Sequence, residues 1–151
     1  MVGTKVQIIK QIRINTTLES VFPYLIDPKK VVVWSGIAAE LDPTPGGYYR
    51  ETMMPGVIAA GKFVEVPPFS KVSYTWGWDN DDNPIRPGSS LVEIELEPDR
   101  AATVLTLLHS GLPDDAVEMH GGDWAHFMER LQIAGGGVDP GRYPWLDNPP
   151  H

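Results

Sequence analysis

One stretch constrains this chain more than any other. Val117, Trp124, Phe127, Met128, Leu131 and Ala134 recur at helical spacing and define a single apolar stripe. Most of the chain between Ser35 and Ser110 is punctuated for strands. An antiparallel sheet with one apolar face has to cover it, and this helix is the only segment long enough to do so. The pattern therefore predicts one sheet with one long C-terminal helix lying across it.

The strand signals are explicit. From Lys5 to Asn15, Val6, Ile8, Ile12 and Ile14 fall on one face, with Gln7, Gln11 and Arg13 on the other. "YYRETMM", "VIAAGKFVEV", "KVSYTWGW", "SLVEIELEP" and "ATVLTLLHS" follow, separated by "DPTPGG", "PG", "PPFS", "DNDDNPIRPG" and a turn at Asp99-Arg100. In the third of these, Val72, Tyr74, Trp76 and Trp78 share a face. After the first strand, Thr16 to Glu19 has capping-box spacing with Thr16 as N-cap. Pro23 interrupts the helix that follows, and Asp27-Pro28 restarts it. Two short helices are expected there. Asp115, with Glu118 three residues on, is the expected start of the long helix, and Gly135-Gly136-Gly137 its end. Residues 1–134 then form one domain. Residues 135–151 form a Gly/Pro-rich tail in which only Tyr143 and Trp145 could dock.

Two glycines, Gly121 and Gly122, sit inside the long helix, where each costs roughly 1 kcal/mol relative to alanine. Either they let the helix approach the sheet closely or they leave a hollow for a ligand. Close packing is the expectation.

Composition excludes some functions. A net charge of −8 argues against a nucleic-acid partner, which would require a basic face. No apolar run approaches the ~20 residues of a membrane span, so no membrane insertion is expected. The first residues lack the pattern of a signal peptide. With no cysteine in the chain, there is no disulfide or thiolate metal site, and a cytoplasmic location is the default.

In their order, these segments resemble the activator of heat-shock-protein ATPase homologue-like family, within the START-like, helix-grip superfamily. The resemblance rests on "VFPYLIDPKKVVVW", "PGGYYR", "GKFVEVPPFSKVSYTW", "TVLTLLHSGLP" and "HGGDW", and it spans residue 5 to about 134. It implies an α+β fold, with a curved antiparallel sheet gripping the C-terminal helix around an apolar cavity. It also implies a small hydrophobic or aromatic ligand as partner, with no cofactor. A small cyclase- or hydrolase-type enzyme and a partner-interaction module are the other implied classes. Chaperone contact belongs to a longer, multidomain architecture. A homodimer is left open.

The candidate ligand-binding residues are Trp34, Trp76, Trp78, His109, His120, Trp124 and Phe127. The tryptophans are core or cavity wall. His109 ends an alternating strand on its inward side, as a polar anchor or as a hydrogen-bond partner at the strand-to-helix corner. His120 precedes Trp124 by four residues and so shares its face. His120 and His126 stand about 120° apart around the helix, unlike the i, i+4 pairs of helical zinc sites, and no metal is expected. Arg50 and Glu51 alternate on a strand, so one faces inward. A solvated strand is the expectation for both. No catalytic motif is present.

Overall fold

The computed structural model describes residues 6–80 and 82–147. Lys5, from which the first strand is expected to run, lies outside them, as do the last four residues of the tail.

Strand β1 (Val6–Ile14) leads into three short helices, α1 (Leu18–Val21), α2 (Pro23–Ile26) and α3 (Pro28–Trp34). The sequence predicts two. Pro23 splits the first of them, because it can begin a helix but cannot donate within one. The cap is Thr17 rather than Thr16: its hydroxyl accepts from the Ser20 amide at 3.3 Å. Asp27 caps α3 as expected, through the Lys29 amide at 2.9 Å.

Six further strands follow: β2 (Ala38–Leu41), β3 (Tyr48–Met54), β4 (Val57–Glu65), β5 (Lys71–Trp78), β6 (Ser90–Asp99) and β7 (Ala102–Ser110). They form one antiparallel sheet in the order β1-β7-β6-β5-β4-β3-β2. From β2 to β7 each strand pairs with its neighbour in sequence. β1 instead returns to pair with β7, with Ile12 opposite Leu105. β2 is not among the strands read from the sequence. Its four residues "AAEL" are too short and too weakly alternating to stand out.

Helix α4 (Val117–Gly135) crosses the sheet, preceded by a single 3-10 turn over Asp114–Ala116. Neither Asp115 nor any other side chain caps α4. The turn occupies the place the capping box was expected to hold. At the other end the chain reverses at Gly137, whose φ of 87° suits a residue without Cβ, and the Gly137 and Val138 amides close on Ala134 and Ile133 carbonyls. The helix buries Trp124, Phe127, Met128, Leu131 and Ala134. These meet Val72, Tyr74, Trp76 and Trp78 of β5 and the inward residues of β6 and β7 in one continuous core. The sequence stripe is the buried face.

The glycine expectation is not met. Cβ atoms placed on Gly121 or Gly122 would touch nothing within 4 Å, and Gly122 is exposed. The helix touches the sheet more tightly at Gly135, where a Cβ would stand 3.0 Å from Ile14 Cγ2. Helix α4 thus approaches β1 through its last turn.

The tail packs onto the domain. Tyr143 and Trp145 are both buried, and their rings lie against Phe127, Trp145 at 4.9 Å and Tyr143 at 6.2 Å between centroids. Arg130 fastens this arrangement. Its guanidinium is buried and donates to the Val33 and Trp34 carbonyls of α3, and to those of Pro140 and Gly141 in the tail. One side chain of α4 thereby ties α3 to the tail through charge-assisted bonds.

Candidate functional site

Where α4 passes over β3 and β5, the core is not completely filled. A cavity of about 30 Å³ remains, room for a water or two at roughly 10–15 Å³ each. Alternation decides what reaches it. On β3, Tyr49, Glu51 and Met53 face inward while Arg50 faces out to Asp79, 2.8 Å away. On β5 the same period presents Trp76 and Trp78. From above, α4 contributes His120, Asp123, Trp124 and Phe127, the tail adds Trp145, and Ser35 closes the α3 end.

Five of the seven residues expected from the sequence line this throat: Trp76, Trp78, His120, Trp124 and Phe127. Trp34 does not. It is buried beside the helices, its indole donating to the Tyr24 carbonyl at 2.9 Å. His109 lies behind the wall, fully buried, with its ring 5.1 Å from that of Trp76.

Both histidines are held by indoles. An indole N–H can only donate, so the nitrogen that meets it must be unprotonated. Trp124 donates to His109 Nδ1 at 2.9 Å. The proton of His109 is then on Nε2, facing Ser90 Oγ at 2.9 Å, and Ser90 donates onward to the Trp76 carbonyl at 2.8 Å. Burial, with His120 nearby, pushes His109 down to about 3, so the ring is neutral. It bonds to side chains of β6 and α4, not to a backbone group at the corner. Trp78 likewise donates to His120 Nε2 at 3.1 Å, leaving Nδ1–H to meet the Ala116 carbonyl at 2.8 Å. His120 therefore fills a wall position with both nitrogens engaged.

Glu51 is the residue that the sequence reading misplaced. It is buried, not solvated. Oε1 accepts from the Tyr49 hydroxyl at 2.8 Å, while Oε2, beside the Ser35 hydroxyl and the Gly36 backbone, is buried with no well-formed hydrogen bond among the described residues. Burial raises its carboxyl to about 7, with the Ser35 and Tyr49 hydroxyls pulling the other way. Burial also raises Tyr49, and the Glu51 charge raises it further. Tyr49 stacks on Tyr74 at 4.1 Å. The signal that could have found Glu51 was its company: Tyr49 and Met53, two residues away on either side, are large and apolar. Trp145, which is not among the candidates from the sequence, also lines the throat.

A wider groove of about 450 Å³ adjoins the throat and shares Trp78, His120 and Trp145 with it. Its other walls include Met54, Val57, Ile85, Asp115 and Met119. Among the described residues no three of His, Asp and Glu gather as metal ligands would.

Residues 15–135 match the family described as activator of Hsp90 ATPase homolog 1-like protein. The chain belongs to this family. An AHSA1-like protein of Rhizobium etli shares 36% identity over 95% of this chain and 89% of its own, with a TM-score of 0.74. More distant structures share the fold. A protein from the dynemicin biosynthetic locus is 21% identical over 90% of this chain, with a TM-score of 0.76, and this chain spans only 49% of it. The Aha1 dimer of Colwellia psychrerythraea is 19% identical over 84% of this chain and 93% of its own, with a TM-score of 0.71. No curated protein sequence matches the chain. The α+β helix-grip architecture expected from the sequence is the one this AHSA1-like chain adopts. No helix among the described residues is long and apolar enough to cross a membrane.

Proposed function

We propose that this AHSA1-like chain binds a small hydrophobic or aromatic ligand between its sheet and α4, in the cytoplasm and without a cofactor. Residues 1–134 serve as the ligand-binding domain, and the tail supplies one wall. The observation that carries this reading is Glu51 Oε2, a buried acceptor without a well-formed hydrogen bond among the described residues, in a cavity lined by Trp76, Trp78, Trp124 and Trp145. Binding sites are mostly apolar surfaces with a few placed polar groups, and native cores rarely leave a buried acceptor unpaired. The throat is too small for a ligand as it stands, since such pockets typically hold about 300–1,000 Å³. The adjoining groove has that volume, and the wall between them includes Trp145. Outward movement of Trp145 would join the two.

Nile red titration tests the reading. The folded protein is expected to bind the neutral dye with a blue-shifted emission. Trp124→Ala and Trp145→Ala should each weaken binding at least fivefold, and Leu146→Ala, at an exposed tail position, should leave it unchanged. Dye uptake that tracks loss of near-ultraviolet circular dichroism, rather than native protein, sinks the proposal.

A second reading is favoured by one observation. A carboxyl held at about 7 is suited to exchange a proton with a bound substrate at neutral pH, as a small enzyme would require. Carbon-13 NMR titration of Glu51 checks it: a value in the ordinary carboxylate range removes the basis for acid–base chemistry here.

A further inference from the structure

The charges around the throat are one-sided. Its carboxyls are Glu51 on β3 and Asp123 on α4, and Asp115 stands at the mouth of the adjoining groove. No lysine or arginine is among the described residues lining either space. The arginines of the same elements are committed elsewhere, Arg50 to Asp79 on the opposite face of β3 and Arg130 to backbone carbonyls of α3 and the tail. The two imidazoles beside the site cannot substitute for a cation, because each uses a nitrogen lone pair to accept an indole N–H.

The wall itself is electron-rich. Trp76 and Trp78 meet edge to face, 4.9 Å between centroids, and Trp124, Phe127 and Trp145 complete the enclosure. Indole faces attract cations through the ring quadrupole, and do so most strongly when water is excluded. A neutral apolar guest would fill the joined throat and groove but leave Oε2 of Glu51 without a charged or donor partner. A neutral hydrogen-bond donor would pair Oε2 but leave the charge of an ionised Glu51 uncompensated among the described residues of the site. A positively charged head on an apolar body fills the space and compensates the charge.

We propose that the ligand of this site is an organic cation, an amine or quaternary ammonium carried on a small apolar or aromatic body, with its charge at Glu51 inside the tryptophan-lined wall. The proposal rests on the ligand-binding reading above and narrows it to one charge class. Glu51 acts as the counter-ion. The groups that share its surroundings are Tyr49 on β3, Tyr74 on β5, Tyr143 in the tail, and Asp123 and His120 on α4. Asp123 is the one other carboxyl among them.

Phenyltrimethylammonium and tert-butylbenzene, its neutral isostere, provide the test. Both are titrated into the full chain by calorimetry, with tryptophan emission as a second readout. At pH 8 the cation is expected to bind at least tenfold more tightly than the hydrocarbon. Glu51→Gln keeps the shape of the side chain and removes its charge. It should cut the preference below threefold while leaving the hydrocarbon affinity within twofold. Lowering the pH to 5.5 should do the same to the unaltered protein, which keeps the test informative if the variant folds poorly. Equal affinities, or tighter binding of the hydrocarbon, overturn the cation assignment and leave the apolar-ligand reading standing. A preference that survives both Glu51→Gln and pH 5.5 overturns the counter-ion role. If neither compound binds, the ligand-binding reading falls and this one with it.

Discussion

His109 and Glu51 are polar groups buried in one aromatic layer, and the layer treats them differently. Around His109 every hydrogen-bonding atom is matched: the Trp124 indole, both ring nitrogens, the Ser90 hydroxyl and the Trp76 carbonyl form one chain of donors and acceptors. Around Glu51, among the described residues, one oxygen has a well-formed hydrogen bond and the other has none. Leaving a buried polar atom unpaired costs about 1–3 kcal/mol. The first cluster is therefore a finished piece of core. The second retains an acceptor without a well-formed bond, and it is on this that the proposed ligand site rests. Buried polarity alone does not mark a site; the unmatched part of it does.

The comparison makes its largest claim about His109. Replacing it with alanine strands an indole N–H and a hydroxyl and opens a void, so His109→Ala should lose about 3–5 kcal/mol in urea denaturation. A loss below about 1 kcal/mol would mean the cluster is not the fastening described.

Glu51→Gln should move the other way. With its carboxyl raised to about 7, the folded protein holds a proton that the unfolded chain has released above the model-compound value of 4.5. Stability is then fully present below that value and declines as pH rises through about 7. At roughly 1.4 kcal/mol per pH unit, Glu51→Gln should gain about 1–3 kcal/mol over the unaltered chain at pH 8 and little at pH 4, below the value of the unfolded carboxyl. Equal loss at both pH values would place Glu51 in the finished class beside His109. The acid limb tests His109 in turn. Its value of about 3 lies below the ordinary 6.5, so stability is complete above 6.5 and is lost as pH falls toward 3. His109→Gln should flatten that limb.

Ser90→Ala tests the far end of the matched chain, where two hydrogen bonds are removed, to His109 Nε2 and the Trp76 carbonyl, and the loss should be about 1–2 kcal/mol. The smallest effect serves as a control. Gly122→Ala, on an open helix surface away from both clusters, should raise stability by about 0.5–1 kcal/mol and leave both pH limbs unmoved. Destabilisation there would mean that α4 lies closer to β1 than the open surface at Gly122 allows.

The fold was legible because its signals are periodic. Alternation marked β1 and β3 to β7, and one apolar stripe marked the buried face of α4. What escaped was aperiodic or local: the four residues of β2, the one-residue shift of the cap from Thr16 to Thr17, and the 3-10 turn ahead of α4. Glycine inside a helix carried no information about which side was crowded, so Gly121 and Gly122 were assigned a contact that belongs to Gly135. The site was half legible for the same reason. Trp76, Trp78, His120, Trp124 and Phe127 follow from strand and helix period. Glu51 sits beside Arg50 on a strand where either parity reads plausibly, and only the apolar Tyr49 and Met53 break the tie. Trp145 lies in a proline-rich tail, which has no period to read. The partners of His109 come from β6 and α4, and no spacing along the chain announces a pairing across the fold.

The placement of β1 has a consequence for how the molecule assembles. From β2 to β7 the sheet can zip through consecutive hairpins, each closed by a nearby turn. β1 cannot join until β7 exists, some ninety residues downstream, as the opposition of Ile12 to Leu105 requires. Closing so long a loop carries an entropic cost that neighbouring hairpins avoid. During synthesis the first strand must wait, unpaired, while nearly the whole sheet emerges. In the finished fold it also meets α4, where Gln132 bonds the Arg13 carbonyl at 2.9 Å and Gly135 rests on Ile14. The two ends of the chain therefore brace each other, and the aromatic throat is complete only with α4 in place, since His120, Asp123, Trp124 and Phe127 come from it.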